Sequence, residues 1–282
     1  MDWWQALVIG LVEGLTEYLP VSSTGHIVLA QRWMGIEDGT AANAYAIAVQ
    51  AGAIAAVLGL YRERVAQMLR GLRGMLRLGE GNADGQRLGM AVVVAFLPAA
   101  VLGPLFDDKI EEQLFHRGPI ALALFVGGVA ILAASWNYRR RARAAGLDPA
   151  AGSGADLESL GLKAALLIGF IQCVAMWPGT SRSLVTIVGG LVVGLNMAAA
   201  VEFSFLLGLV TLGAATAYKA IGDGAVMLEH YGPGVIVLGF FVAWLSAVVS
   251  VRWMVSWLKS HGLAIFGWYR VALACLVYAF FV

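Results

Sequence analysis

Charge is scarce in this sequence: 13% of its 282 residues are Asp, Glu, Lys or Arg, and the net charge is +1. A soluble domain carries roughly a quarter, so this chain cannot cover a globule with polar surface. The near-neutral balance excludes a nucleic-acid partner, which needs a concentrated basic face. Only two cysteines are present, Cys173 and Cys275. They lie far apart in apolar stretches, form no metal-ligand or redox spacing, and read as small apolar fillers. Strand-like alternation is missing, which argues against a membrane β-barrel. The opening MDWWQALVIG lacks a basic n-region and a small-residue cleavage site and does not read as a removable signal peptide.

What is abundant is apolar residues, 60% of the chain, with a mean hydropathy of +0.79. Such a chain belongs in a bilayer, where roughly 20 apolar residues make one helical crossing. Six segments are long enough: 41–61, 88–106, 118–138, 199–218, 232–251 and 262–282. Two further apolar regions, 4–34 and 163–194, are broken at Leu19-Pro20 and at Trp177-Pro178-Gly179. Their arms are too short to span and read as re-entrant hairpins, whose irregular backbone must be buried or line a wet cavity. The 62–87 connection carries six arginines against three acids and the 139–161 connection opens with RRRAR, whereas 107–117 is net acidic. The positive-inside rule makes the first two cytoplasmic and the third external. The expected fold is therefore all-α: a single polytopic membrane domain over 1–282, with six transmembrane helices and two re-entrant helical hairpins. Each half, 1–140 and 155–282, has one hairpin and three crossings. An odd number of crossings forces an inverted-topology repeat.

The repeat is visible in the residues. GLVEGLTEYLPVSSTGH starts at Gly10 and GFIQCVAMWPGTSRSLVT at Gly169. Glu13 matches Gln172 and Tyr18 matches Trp177; with a one-residue gap Pro20 matches Pro178 and Ser23 matches Ser181.

The chemistry gathers at the two breaks. From Trp3 to Gln31 the only formal charges are Glu13 and Glu17, spaced i,i+4 on one helical face. Buried charges are costly and usually face a polar cavity, and two close carboxylates need a cation or a shared proton. After Pro20, Ser22, Ser23 and Thr24 offer hydroxyls, Gly25 permits close approach, and His26 can act as base, acid or phosphoryl acceptor. Such hydroxyls also suit simple capping of the returning helix. Between Ala164 and Ala217 the only charges are Arg182 and Glu202. Arg182 stands among Gly179, Thr180, Ser181 and Ser183, with Thr186 one turn on. A planar guanidinium among hydroxyls and loop amides suits phosphate; the alternative is an internal salt bridge from Arg182 to Glu13 or Glu17.

EGLTEYLPVSSTGH together with PGTSRSLVT resembles the undecaprenyl-pyrophosphate phosphatase family of integral membrane proteins, over both hallmark regions and the whole span plan. The resemblance implies hydrolysis of the terminal phosphate of a C55 polyprenyl diphosphate, giving the monophosphate carrier for cell-wall synthesis. It also implies bacitracin resistance, a location in the bacterial inner membrane, a pocket on the periplasmic side and a divalent cation. On this pattern Glu13 and Glu17 are the acidic pair, Ser22, Ser23 and His26 form the serine-histidine segment, and Arg182 belongs to the second motif, flanked by Ser181 and Ser183.

The expected mechanism seats the diphosphate where the two tips meet. Arg182 and the loop amides neutralise it, and Glu13 and Glu17 hold Mg2+ or Ca2+ or position one by hydrogen bonds. Ser23 leads as nucleophile, because it holds the mirrored position and His26, three residues on, can serve it. His26 as nucleophile and water with Glu17 as base are the other routes. Glu202 and Arg270 are expected to pair with each other, the alternative being that Glu202 lines the cavity. Trp3, Trp4, Trp33, Trp268 and Tyr269 fit interfacial belts without a catalytic role. A lipid-phosphate transporter on the same scaffold is the rival function. Membrane lipids and a second copy of the chain are the expected further partners.

Overall fold

The computed structural model describes residues 1–36, 39–76, 82–114, 116–144, 146 and 154–281. Among them eleven α-helices form: α1 (Trp3–Thr16), α2 (Ser23–Trp33), α3 (Thr40–Leu60), α4 (Arg62–Met75), α5 (Ala83–Leu114), α6 (Arg117–Ala144), α7 (Leu162–Gln172), α8 (Arg182–Val192), α9 (Met197–Tyr231), α10 (Pro233–Leu258) and α11 (Ala264–Phe281). No strand forms among the described residues; a lone bridge pairs Ala155 with Leu195.

Among the described residues five helices are long and apolar enough to cross a membrane: Ala41–Leu60, Ala83–Phe106, Gly118–Ala144, Met197–Gly222 and Pro233–Leu258. The sixth expected span, 262–282, is shorter than the sequence suggests. Gly262, at φ 72°, ends the preceding turn, so α11 keeps 18 residues. Those rise about 27 Å, at the short limit for a hydrocarbon core of about 30 Å; residue 282 lies outside the described set.

Several connections expected as loops are helical. Residues 62–75 form α4, the acidic stretch after 106 continues α5, RRRAR continues α6, and α9 runs on to Tyr231. The segments that orient the chain by charge are partly outside the description: residues 77–81, 115, 145 and 147–153, and the side chains of Asp107, Asp108, Glu111 and Arg117. Pro98 and Pro104 lie inside α5, tolerated in membrane helices because neighbours satisfy the freed carbonyls. Gly232, at φ 73°, ends α9, and Pro233 opens α10 at its first position, where a missing N–H costs nothing.

The two broken regions resolve into matched pairs of short helices. α1 starts at residue 3 and α7 at 162; α2 spans 23–33 and α8 spans 182–192. The offset is 159 in both cases (162 − 3, 182 − 23). Ser22 at φ 76° and Ser181 at φ 75° are the two non-glycine residues with positive φ among those described. Each caps its helix, Ser22 accepting from the Gly25 N–H at 3.3 Å and Ser181 from the Leu184 N–H at 3.4 Å. This corrects the gapped match of Ser23 with Ser181. The cap, rather than the proline, sets the register, so Ser22 corresponds to Ser181 and Ser23 to Arg182.

α1 packs along α10 and α7 along α5. Gly10 and Gly169, again 159 apart, each lie against a partner-helix carbonyl, that of Gly239 and that of Ala95. One turn beyond Gly10, Gly14 approaches Ser246 and the Ala243 carbonyl so closely that no side chain fits. Such small residues let membrane helices touch backbone to backbone. The largest buried cluster contains Tyr18, Ile168, Ile187, Phe203 and Phe205 and backs the two breaks. Large apolar side chains such as Leu97, Phe170, Phe241 and Val249 point outward. Hydrocarbon, not water, suits such a surface, and the chain reads as a multi-pass membrane protein.

Candidate active site

The first break presents its acids because helical bonding runs one residue past α1: the Glu17 N–H donates to the Glu13 carbonyl at 2.9 Å. Both side chains therefore leave the same face, and both are buried, at 1% and 6% exposure. Pro20 then denies the helix a further donor. The chain reverses through Val21 and the capping Ser22, and Ser23 opens α2. At the second break, Gly179 at φ 92° makes the turn. A Cβ there would stand 2.8 Å from the Ile120 carbonyl. The Thr180 N–H closes the turn on the Trp177 carbonyl at 3.1 Å, and the Trp177 indole N–H is fastened to Pro119 O at 3.1 Å.

The two breaks meet. Ser23 Oγ donates to Glu17 Oε2 at 2.5 Å, and Arg182 Nη2 donates to Glu17 Oε1 at 3.3 Å. Glu17 thus joins a hydroxyl from one tip to a guanidinium from the other. Arg182 Nη1 donates to Ser204 O in α9 at 2.9 Å, and its guanidinium carbon stands 5.3 Å from the Tyr18 ring centroid. Tyr18 packs edge-on to Phe205. Those contacts fix the cation from three sides. Ser183 Oγ donates to Leu19 O at 2.9 Å and lies 3.0 Å from Ser181 Oγ, a second tie between the tips.

Not every expected residue faces that junction. Thr186 is fully buried and turned toward α9, 2.6 Å from Ser204 Oγ and donating to Arg182 O at 2.9 Å. Thr24 and Gly25 lie on the first turn of α2, Thr24 half-buried and Gly25 buried. The pairing of His26 with Ser23 does not form: Nδ1 bonds the Ser22 carbonyl at 2.7 Å, and Nε2 lies 2.6 Å from the Tyr269 hydroxyl. A carbonyl can only accept, so Nδ1 carries the hydrogen, and Nε2 of a neutral His26 accepts a hydrogen bond from the Tyr269 hydroxyl. The two rings also stack, with centroids 5.7 Å apart. Tyr269, expected as a belt residue, is therefore a direct partner of the histidine. Aromatic composition at a helix end carries no sign of that, because the contact links positions 243 apart.

The expected Glu202–Arg270 pair is also corrected. Glu202 sits in the second turn of α9 and meets Arg64 of α4 at 2.6 Å. Arg270, with no exposure, donates through Nη2 to Gly179 O at 2.8 Å and Ala123 O at 3.0 Å, holding the second break against α6. Arg64 was invisible as a partner because it belongs to what reads as a loop.

Several buried polar atoms around the junction have no partner among the described residues: Glu13 Oε1, both amide atoms of Gln172, Tyr18 OH and Arg182 Nε. Buried polar atoms normally have partners, so this group marks a place shaped for a polar occupant. Glu13 and Glu17 supply the oxygen donors a hard divalent cation takes. Among the described residues no group of three or more His, Cys, Asp or Glu gathers that could enclose one. Two carboxylates fit an ion that completes its shell with water and substrate phosphate, as Mg2+ commonly does.

A hydroxyl on a carboxylate, a cation opposite it and unpartnered buried polar atoms beside two helix starts suit phosphoryl chemistry. Comparison with known proteins points the same way. A protein from Sorangium cellulosum named undecaprenyl-diphosphatase is 44% identical over 98% of this chain and 86% of its own length. Burkholderia lata undecaprenyl-diphosphatase 1 is 40% identical over 98% of this chain and 96% of its own. The Nitrosomonas europaea undecaprenyl-diphosphatase is 39% identical, covering 98% and 95%. The family described as bacitracin resistance protein BacA matches residues 6–276, and the chain belongs to that family.

Proposed function

We infer that this chain hydrolyses undecaprenyl diphosphate to undecaprenyl monophosphate and phosphate, recycling the lipid carrier of cell-wall synthesis. The observation that carries the reading is the bridge Ser23–Glu17–Arg182, with Ser23 Oγ 2.5 Å from one carboxylate oxygen and Arg182 Nη2 3.3 Å from the other. The relatives named above bear a phosphatase name, and none of them a transporter name.

In this mechanism the diphosphate enters between the tips and its terminal phosphoryl group meets Arg182. Ser23 Oγ attacks phosphorus in line as its proton passes to Glu17. A serine–phosphorus bond forms and the anhydride P–O bond breaks, the electron pair leaving with the lipid monophosphate. Protonated Glu17 no longer competes for Arg182, whose guanidinium is then free for the equatorial oxygens as their charge rises. Glu17 then hands its proton to the departing lipid monophosphate, and the carboxylate so restored deprotonates water; the hydroxide attacks phosphorus, the serine–phosphorus bond breaks with its electron pair on Oγ, and the proton on Glu17 returns to Ser23 as phosphate leaves. The geometry favours Ser23 over His26 because both imidazole nitrogens are already engaged. Ser22 and Ser181 cap the helices, and Ser183 ties the tips, so these hydroxyls hold the frame. Glu13 and Glu17 would hold a Mg2+ or Ca2+ ion, which would supply charge neutralisation of the phosphates.

The same reading gives the topology. The chain forms one membrane domain with two inverted halves, 1–140 and 155–282, each a re-entrant hairpin followed by three crossings. Its pocket opens on the periplasmic side of the bacterial inner membrane. The 159-residue offset of helix starts and caps supports this, as do the arginine-rich connections.

The test is phosphate release from polyprenyl diphosphate in detergent micelles by wild type and Ser23→Ala, with trapping of the phosphoenzyme. An acid-stable adduct lost in Ser23→Ala is expected. An acid-labile adduct would move the attack to His26, and no adduct with full turnover would assign it to water. Lipid movement in vesicles without phosphate release would overturn the hydrolase reading. Chelation with EDTA, repeated on Glu13→Gln, tests the metal: only the wild type should respond to added Mg2+.

A further inference from the structure

About 16 residues along α6 from Ala123 (139 − 123), some 24 Å from the catalytic end at 1.5 Å per residue, lies a separate cavity of about 260 Å³. Ser135, Tyr138, Arg139 and Arg143 line it from one face of α6, consistent with i,i+3/i+4 spacing. The opposite wall is the turn that ends α10 and starts α11, through Ser260 and His261. Arg139 Nη2 donates to His261 O at 2.9 Å, which anchors the guanidinium at the rim.

Three features give this cavity its sign. No acidic side chain is among its lining residues, while two arginines are. Gly262 and Leu263 bring in the start of α11, an 18-residue helix whose first N–H groups have no intrahelical acceptor. Ser135, 6% exposed, has a buried Oγ with no partner among the described residues, and so does the Tyr138 hydroxyl. An unsatisfied buried donor beside two guanidiniums calls for an oxyanion. The surroundings give the source. Trp257 stacks on His261 at 3.9 Å and Arg140 lies over Trp136 at 5.4 Å, the Trp–Arg mixture of a membrane interface. Basic pockets between membrane helices at that level take lipid phosphates.

We propose that this cavity is a second, non-catalytic site that binds a phosphate group carried by an anionic lipid headgroup. It stands independently of the hydrolase reading, because none of its residues belongs to the catalytic junction.

The test measures retention of phosphatidylglycerol by the full chain in detergent, by native mass spectrometry, against phosphatidylcholine and inorganic phosphate. Wild type should retain phosphatidylglycerol preferentially. Arg139→Gln with Arg143→Gln should weaken retention about tenfold per arginine, the scale of a charge-assisted hydrogen bond. Ser135→Val, which keeps the charges, should weaken it severalfold. Polyprenyl diphosphate hydrolysis in micelles should not change, which also shows that the variants fold. Retention of inorganic phosphate at the same strength would support the anion site but assign it a soluble ligand. Equal retention by wild type and the double variant, or equal retention of phosphatidylcholine, would overturn the proposal.

Discussion

Glu17→Gln separates two duties of Glu17 in the proposed mechanism. There it takes the Ser23 proton across a contact of 2.5 Å as base, and as counterion it holds Arg182 at 3.3 Å. Glutamine keeps the shape, so Ser23 can still point at the same atom, but the proton has no acceptor of the right strength. Loss of a general base costs about 10²–10⁴ in rate, or roughly 2.7–5.4 kcal/mol at 1.36 kcal/mol per decade. The effect on binding has the opposite sign. In the wild type a diphosphate must compete with Glu17 for Arg182, whose side chain is only 9% exposed; in the variant that competition is gone. We therefore expect kcat to fall a hundredfold or more while KM stays level or falls. Arg182→Gln should instead raise KM and lower kcat together, since the cation contacts both bound substrate and transition state. The assay is steady-state phosphate release over a range of substrate at fixed detergent. A Glu17→Gln enzyme with more than a tenth of wild-type kcat, or with KM raised tenfold, would refute the dual role.

Tyr269→Phe removes the hydroxyl on His26 Nε2 but keeps the stacked ring. Loss of that one hydrogen bond, about 0.5–1.5 kcal/mol, should lower the thermal unfolding midpoint while kcat holds, whereas a belt role predicts no change in the midpoint. Gly14→Ala would drive a methyl into Ser246 and the Ala243 carbonyl, with Ala247 N at 2.8 Å. Overpacking of this kind costs about 1–3 kcal/mol, so thermal unfolding should move down by several degrees, and an unchanged midpoint would mean that α1 and α10 can part freely. Glu158 is held below the ordinary glutamate range by its own backbone N–H and by Arg64. A depressed carboxyl stabilises above its unfolded value, about 4.3, and loses that contribution as pH falls through the lowered one. Glu158→Gln should therefore lower the unfolding midpoint slightly at pH 7, by well under 1 kcal/mol for so exposed a pair. The difference should begin to shrink as pH falls through about 4.3 and vanish only once pH is below the lowered folded-state value.

Most of the site was legible because chemistry in an oily sequence stands out. Glu13, Glu17 and Arg182 are nearly the only charges in their regions, and each lands at or beside the junction. Partners that depend on tertiary closure were not legible. Tyr269 reaches His26 from the far end of the chain, and Ser204 meets Arg182 from the middle of an apolar span. Glu202 was misassigned because the helical character of 62–75 is weak in a hydropathy reading, so Arg64 had no position from which to pair. The repeat was legible but misregistered by one residue. The prolines suggested a gap, whereas backbone geometry at Ser22 and Ser181 needs none. Crossing lengths were well read where the apolar run was uninterrupted, as in α3, and poorly where helices continue past charged or polar residues, as in α5, α9 and α10.

The two serines with positive φ have a further meaning. A side chain in that region costs about 1–2 kcal/mol, so each half of the molecule carries a strained residue at the same address. The position immediately after it is where the halves part company, with Ser23 in one and Arg182 in the other. One bend, used twice, therefore sends a hydroxyl and a guanidinium toward a common point, the Glu17 carboxylate, from opposing helix starts. Chemical identity resides in a single letter per half and aim resides in the bend, so either letter can be altered without disturbing the direction of its counterpart.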